Sequence, residues 1–272
     1  ILRDPEYIPD VDYLVMESTY GDRLHDPIES ATNELAEAVN TTVERGGKVL
    51  IPSFAVERTQ ELVYFLHVLK NQKKIPALPI FVDSPMATNA TSIFRVHQEC
   101  YDDETRELFL DNHKNPFGFN ELRYITNQDE SKELNALKEP AIIISSSGMC
   151  EAGRILHHLI HNIEDSKNTI LVVGYMAQHT LGRKILEKQP EVKIFGDQYR
   201  LRAEVRVLNT FSAHADYNDI LEYIGQLNYQ KLKGVFLVHG EQEAQNNLKS
   251  LLESKNYKTQ IVSSGEKYTF QV

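Results

Sequence analysis

The sequence predicts an α/β protein on a mainly parallel sheet. Short β-branched apolar runs alternate with helix-period stretches along the chain, and ionisable or small residues gather just after those runs. Tyr13–Met16 leads into Glu17-Ser18-Thr19-Tyr20-Gly21 and an amphipathic stretch over 27–45, which Gly46-Gly47 ends. Val49–Ile51 follows, then Pro52-Ser53-Phe54-Ala55 and a helical pattern over 57–70. Ile80–Val82 precedes a helix over 84–98 that Pro85 suits as a start, and a further helical pattern covers 102–112. Ala141–Ser145 delivers Ser146-Ser147-Gly148-Met149 and a helix over 152–162 that carries Arg154. Ile170–Val173 precedes a helix over 180–188. Val205–Leu208 leads to Phe211-Ser212-Ala213-His214-Ala215-Asp216 and a helix over 217–226. Val235–Val238 leads to His239-Gly240-Glu241 and a helix over 241–254, and Gln260–Val262 is the last strand. Alternation of this kind places function in the loops at the carboxyl ends of the strands.

With 272 residues, 41% hydrophobic and 25% charged, the chain is long enough for one large or two ordinary domains. No run of about 18 apolar residues is present, so no membrane partner is expected. The start, Ile1-Leu2-Arg3-Asp4-Pro5, has neither an initiator Met nor the order of a signal peptide. A soluble, cytoplasmic chain is expected, cut from a longer protein. Cys100 and Cys150 have no CxxC or His-flanked spacing, which argues against a zinc ribbon or disulfide framework. A net charge of −10 argues against binding polyanions over the whole surface, but not against a local groove.

Glu17 alone reads as a surface carboxylate or a cap. His239 follows an apolar strand and precedes Gly240, a setting that suits a neutral imidazole as a zinc ligand. His214 lies between two alanines with Asp216 as a candidate orienter, and could give a proton to a leaving oxygen. On spacing alone, two unrelated hydrogen-bonded histidines remain an equal alternative.

Taken in order, Glu17-Ser18-Thr19-Tyr20-Gly21, Ile51-Pro52-Ser53-Phe54-Ala55 with Arg58-Thr59-Gln60-Glu61, Ser146-Ser147-Gly148-Met149, Gly174-Tyr175 with Thr180-Leu181, Phe211 to Tyr217, and Leu237 to Glu241 closely resemble the β-CASP branch of the metallo-β-lactamase superfamily. The resemblance implies a zinc-dependent nuclease acting on single-stranded RNA in RNA processing or decay. Glu17 then matches the acidic motif, with His214 near the scissile phosphate as the catalytic pair, and His239 binds one of two zinc ions. Phosphate contacts are then expected from Ser53, Arg58, Ser146, Ser147, Gly148, Arg154 and Thr180, at strand ends or helix starts, the alternatives being an ordinary interdomain salt bridge for each arginine and helix capping for the Ser145–Ser147 run. The expected fold is the C-terminal part of an αββα metallo-β-lactamase domain (1–21 and 209–272) plus an inserted β-CASP α/β domain (22–208).

The departure from the family pattern is the missing HxHxDH cluster, which none of the ten histidines supplies. His157, His158 and His161 are read as a polar helix surface. One protein ligand cannot hold zinc. The missing N-terminal half of the same protein is therefore an expected partner, and this fragment alone is expected to be inactive and metal-poor. Relatives often dimerise, so a homodimer is a further expectation. Alternatives are a catalytically silent RNA-binding or scaffolding subunit, a DNA nuclease, and a hydrolase of small esters.

Overall fold

Val49–Pro52, Ile80–Asp83, Ile142–Ser145 and Thr169–Val172 do not alternate in polarity, as strands covered on both faces require. Each is buried throughout in the computed structural model, which describes residues 1–4, 6–25, 27–107, 115–208 and 211–270. In chain order the elements are β1 (Tyr13–Glu17), α1 (Ile28–Glu44), β2 (Val49–Pro52), α2 (Arg58–Asn71), β3 (Ile80–Asp83), α3 (Pro85–Val96), α4 (Asp103–Arg106), β4 (Leu122–Tyr124), α5 (Gln128–Ala136), β5 (Ile142–Ser145), α6 (Ile155–Asn162), β6 (Thr169–Val172), α7 (Leu181–Leu186), β7 (Glu191–Ile194), β8 (Asp197–Arg200), β9 (Glu204–Val207), α8 (Tyr217–Gly225), β10 (Gly234–Val238), α9 (Gln242–Ser254) and β11 (Thr259–Ile261). The chain divides into two units, Ile1–Arg3 with Asp26–Phe211, and Asp4–His25 with Ser212–Val272. Among the described residues, no helix is long and apolar enough to cross a membrane.

The larger unit carries a six-stranded sheet in the order β4-β3-β5-β2-β6-β9, parallel throughout. Successive side chains point to opposite faces, so Leu171 and Val173 join one core while Ile170 and Val172 join another. The first core takes its helical cover from α1 and α2, through Leu35, Leu62 and Leu66. The second takes it from α6 and α7, through Ile155, Leu159 and Ile185. Helices thus cover both faces, as the alternation predicts. Gly46 at φ 70 ends α1, and Ser84 caps α3 with Pro85 in its first turn.

The smaller unit is a parallel three-stranded sheet, β1-β10-β11, over a core of Ile220, Ile224, Val235, Leu237, Leu248 and Leu252.

Three features depart from the sequence reading. The β7–β8 hairpin is the one antiparallel pair among the described strands, with Val192 and Ile194 buried between exposed charges. It turns on Phe195 and Gly196, at φ 53 and 95, the geometry of a two-residue hairpin turn. Its period-two signal is legible, but charged residues hide it from a search for apolar runs. β4 and the polar α5 were also missed, being short and nearly devoid of apolar pattern. α6 begins at Ile155 rather than Ala152, because Ser147 Oγ accepts from the Glu151 and Ala152 amides and holds that stretch as a turn. The helix expected over 102–112 falls partly on residues outside those described.

Candidate active site

The site of the smaller unit starts from strand register. β1 and β10 run parallel with Glu17 opposite Val238, which brings the residues after both strands side by side. Ser18 ties them twice, its amide donating to His239 O at 3.1 Å and its hydroxyl to Val238 O at 2.8 Å. His239 sits at φ 50, and a side chain at Gly240 would come within 2.7 Å of Ser18 O, so only glycine lets the turn pass.

Glu17, His214 and His239 converge, each with a ligand atom within 4.8 Å of the others. His214 Nδ1 donates to Glu17 Oε2 at 2.6 Å, and the Ala215 amide donates to Glu17 Oε1 at 3.3 Å. A carboxylate only accepts, which assigns the proton to His214 Nδ1 and makes Nε2 the atom through which this ring can exchange a proton. Thr19 Oγ1 lies 2.6 Å from Glu17 Oε2 and 2.9 Å from His239 Nδ1. Its single proton goes to the charged, closer carboxylate. Thr19 therefore accepts from His239 Nδ1, and His239 Nε2 keeps its lone pair. The result is a chain of polar contacts from His239 through Thr19 and Glu17 to His214.

Two imidazoles and a carboxylate are zinc-type donors, but Glu17 and His214 Nδ1 are engaged with each other. What fits a metal is His239 Nε2, one donor of the four that zinc takes. Beside Glu17 and His214 lies a cavity of about 500 Å³, lined also by Tyr7, His25 and Tyr223.

The orienter of His214 is Glu17, which corrects the reading of Asp216. Asp216 is the N-cap of α8, accepting from Asn218 and Asp219 amides with Oδ1 and from the His25 amide with Oδ2. Burial pushes its carboxyl up, but these amides outweigh that and hold it below the usual carboxylate range. His25, which sequence reasoning missed, reaches His214 O at 2.7 Å. Thr19, quoted in the sequence only as part of the motif after β1, is brought back to Glu17 by the turn that the Gly21 amide closes on Ser18 O.

In the larger unit, the six expected phosphate-contact residues that carry a side chain all have partners inside the unit, Ser147 Oγ through the Glu151 and Ala152 amides. Arg154 NH1 donates to Asp83 Oδ1 at 2.6 Å and to Ile125 O, and NH2 to Thr126 O. Arg58, nearly buried, pairs with Glu61 one turn along α2. Both guanidiniums are thus paired with carboxylates inside the unit, Arg58 buried and Arg154 with part of its side chain still exposed. Ser53 Oγ is buried against Phe54 O and Thr59. Ser146 Oγ donates to Ser84 Oγ, Thr180 caps α7, and Gly148 packs under Phe54.

His158 is also corrected: it is not surface but fully buried, with Nε2 2.7 Å from Asp83 Oδ2 and Nδ1 2.8 Å from Asn135 Oδ1. Burial pushes the Asp83 carboxyl up, yet hydrogen bonds from His158, Ser131 and Arg154 together hold it low.

Two family models match this chain, the Beta-Casp domain over residues 59–185 and the Zn-dependent metallo-hydrolase RNA specificity domain over 198–263. The chain belongs to the β-CASP branch of the metallo-β-lactamase superfamily. Among β-CASP relatives, ribonuclease TTHA0252 of Thermus thermophilus is 38% identical over 266 residues, 98% of this chain and 60% of the relative. An RNase J-like protein of Methanocaldococcus jannaschii is 35% identical, over 86% of this chain and 53% of its own. Endoribonuclease YSH1 of Candida glabrata is 32% identical, over 90% of this chain and 32% of its own. The chain thus spans 60% or less of these β-CASP relatives.

Proposed function

We propose that the protein to which these residues belong is a zinc-dependent nuclease that hydrolyses phosphodiesters of single-stranded RNA, with Glu17 and His214 as its proton-handling pair. The observation that carries this reading is the Thr19–Glu17–His214–His239 constellation, in which one imidazole is held by a carboxylate and the other keeps Nε2 for a metal. Metal, when bound, supplies charge neutralisation on the phosphate and a nucleophilic water near neutral pH. Glu17 accepts from Nδ1 and fixes the aim of His214, which in its imidazolium form carries a second proton on Nε2, hands that proton to the leaving oxygen and keeps the one on Nδ1. Thr19 and the Ala215 amide keep the Glu17 carboxylate from turning away. The remaining ligands, and the second of two zinc ions, come from protein outside these 272 residues, so this chain alone is expected to be inactive.

The relatives' names, ribonuclease and endoribonuclease, support the reading. RNA contacts in the larger unit are proposed at the Ser146–Gly148 loop, which the Ile155 amide ties to the start of α6 beside Arg154.

The test is incubation of the complete protein with labelled single-stranded RNA and DNA, with chelator and with zinc restored. Chelator-sensitive, zinc-restored RNA cleavage that His214→Ala abolishes is expected. RNA binding without cleavage under every metal condition would replace the nuclease with a silent RNA-binding subunit, and cleavage of DNA alone would change the substrate.

A further inference from the structure

In the larger unit, the chain leaves β2 for α2 on one face of the sheet and leaves β5 for α6 on the other, although β2 and β5 are neighbours. That divergence makes a crevice at the carboxyl ends of the two strands, the place where open parallel sheets take ligands. The residue standing in it is Phe54, just after β2. Its ring lies against the loop after β5, so closely that a side chain at Gly148 would come 3.0 Å from two ring carbons. The residue is nevertheless 50% exposed.

Phe54 is held, not loose. Its carbonyl accepts from the Thr59 amide at 3.3 Å, from Thr59 Oγ1 at 2.7 Å and from Ser53 Oγ at 3.2 Å. The Gly148 loop is held as well, with Ser146 Oγ on Ser84 Oγ and Ser147 Oγ under two amides.

The chemistry of the crevice selects its ligand. Arg58 and Arg154 are both paired with carboxylates, and Glu57 adds an exposed negative charge, so the loops offer little to neutralise a phosphate. They do offer a rigid, uncharged aromatic surface. A flat π-system is what such a surface binds without needing charge or sequence.

We infer that Phe54 is a stacking platform for one nucleobase of the single-stranded RNA. This rests on the RNA reading above and adds a specific contact to it. Binding of short single-stranded RNAs is measured under chelation, using a series in which one abasic residue is moved along the strand. For the wild type, one abasic position is expected to weaken binding by about 5- to 100-fold, the loss of one stacked base. Phe54→Ala is expected to show that loss on intact RNA and to become indifferent to the abasic position. Phe54→Trp restores the wild-type profile, whereas Phe54→Leu, which keeps apolar cover on Gly148 without a π-face, behaves like Ala. Wild-type binding by Phe54→Ala, or an equal loss on every RNA in the series, overturns the platform. If the wild type neither binds nor cleaves RNA, the nuclease reading fails and the platform falls with it.

Discussion

The two units treat the ends of their strands differently. In the larger, Asp83 at the end of β3 is fully buried, and His158, Arg154 and Ser131 consume its lone pairs. In the smaller, Glu17 at the end of β1 holds His214 with about a third of each side chain exposed, and His239 stands open beside them. Both centres join a carboxylate to an imidazole at a strand end. Burial decides their roles: a sealed network can only hold elements together, while an open pair can exchange protons with a substrate.

Reciprocal mutations test that contrast. The largest effect is expected from His214→Ala, which should lower RNA cleavage by the complete protein by about 10²- to 10⁴-fold while leaving the denaturation midpoint near wild type. A collapse in stability instead would erase the contrast. Asp83→Ala should do the opposite and lose about 3–5 kcal/mol in denaturant titration, because buried His158 and partly exposed Arg154 lose their shared partner. Wild-type stability in that variant would mean the network carries little.

Asp216→Ala should lie between, costing about 1 kcal/mol as the loss of the α8 cap. It should also loosen His25, so a shift in the His25 ring resonances by NMR would sharpen the separation of capping from catalysis.

The smallest effect concerns acid. Asp83 has a folded-state pKa below its unfolded value, so the stability it contributes is present above the unfolded pKa and is lost as pH falls through the folded one. Wild type should therefore lose stability as pH drops below about 4, and Asp83→Asn should lose less over the same range. Parallel acid titrations of both proteins would remove Asp83 from the acid response.

Much of this was legible in the residues. Apolar runs without alternation located the central strands, because a parallel strand must be apolar on both faces. The small residues around His214 and His239 singled out those histidines. The partner of Arg58, Glu61, lies three residues along the same helix and is legible, whereas that of Arg154 is not, because sequence does not show which distant carboxylate folds against a cation. Asp83 and Arg154 are 71 residues apart, and Asp83 and His158 are 75 apart.

The sequence by itself determined the alternation of elements, the parallel sheet and which residues reach the strand ends, since these follow from local periodicity and chain polarity. Only the tertiary structure decided which of those charged groups would be sealed and which left open. Desolvation and partner geometry depend on neighbours brought together across the sheet, and local pattern does not encode them.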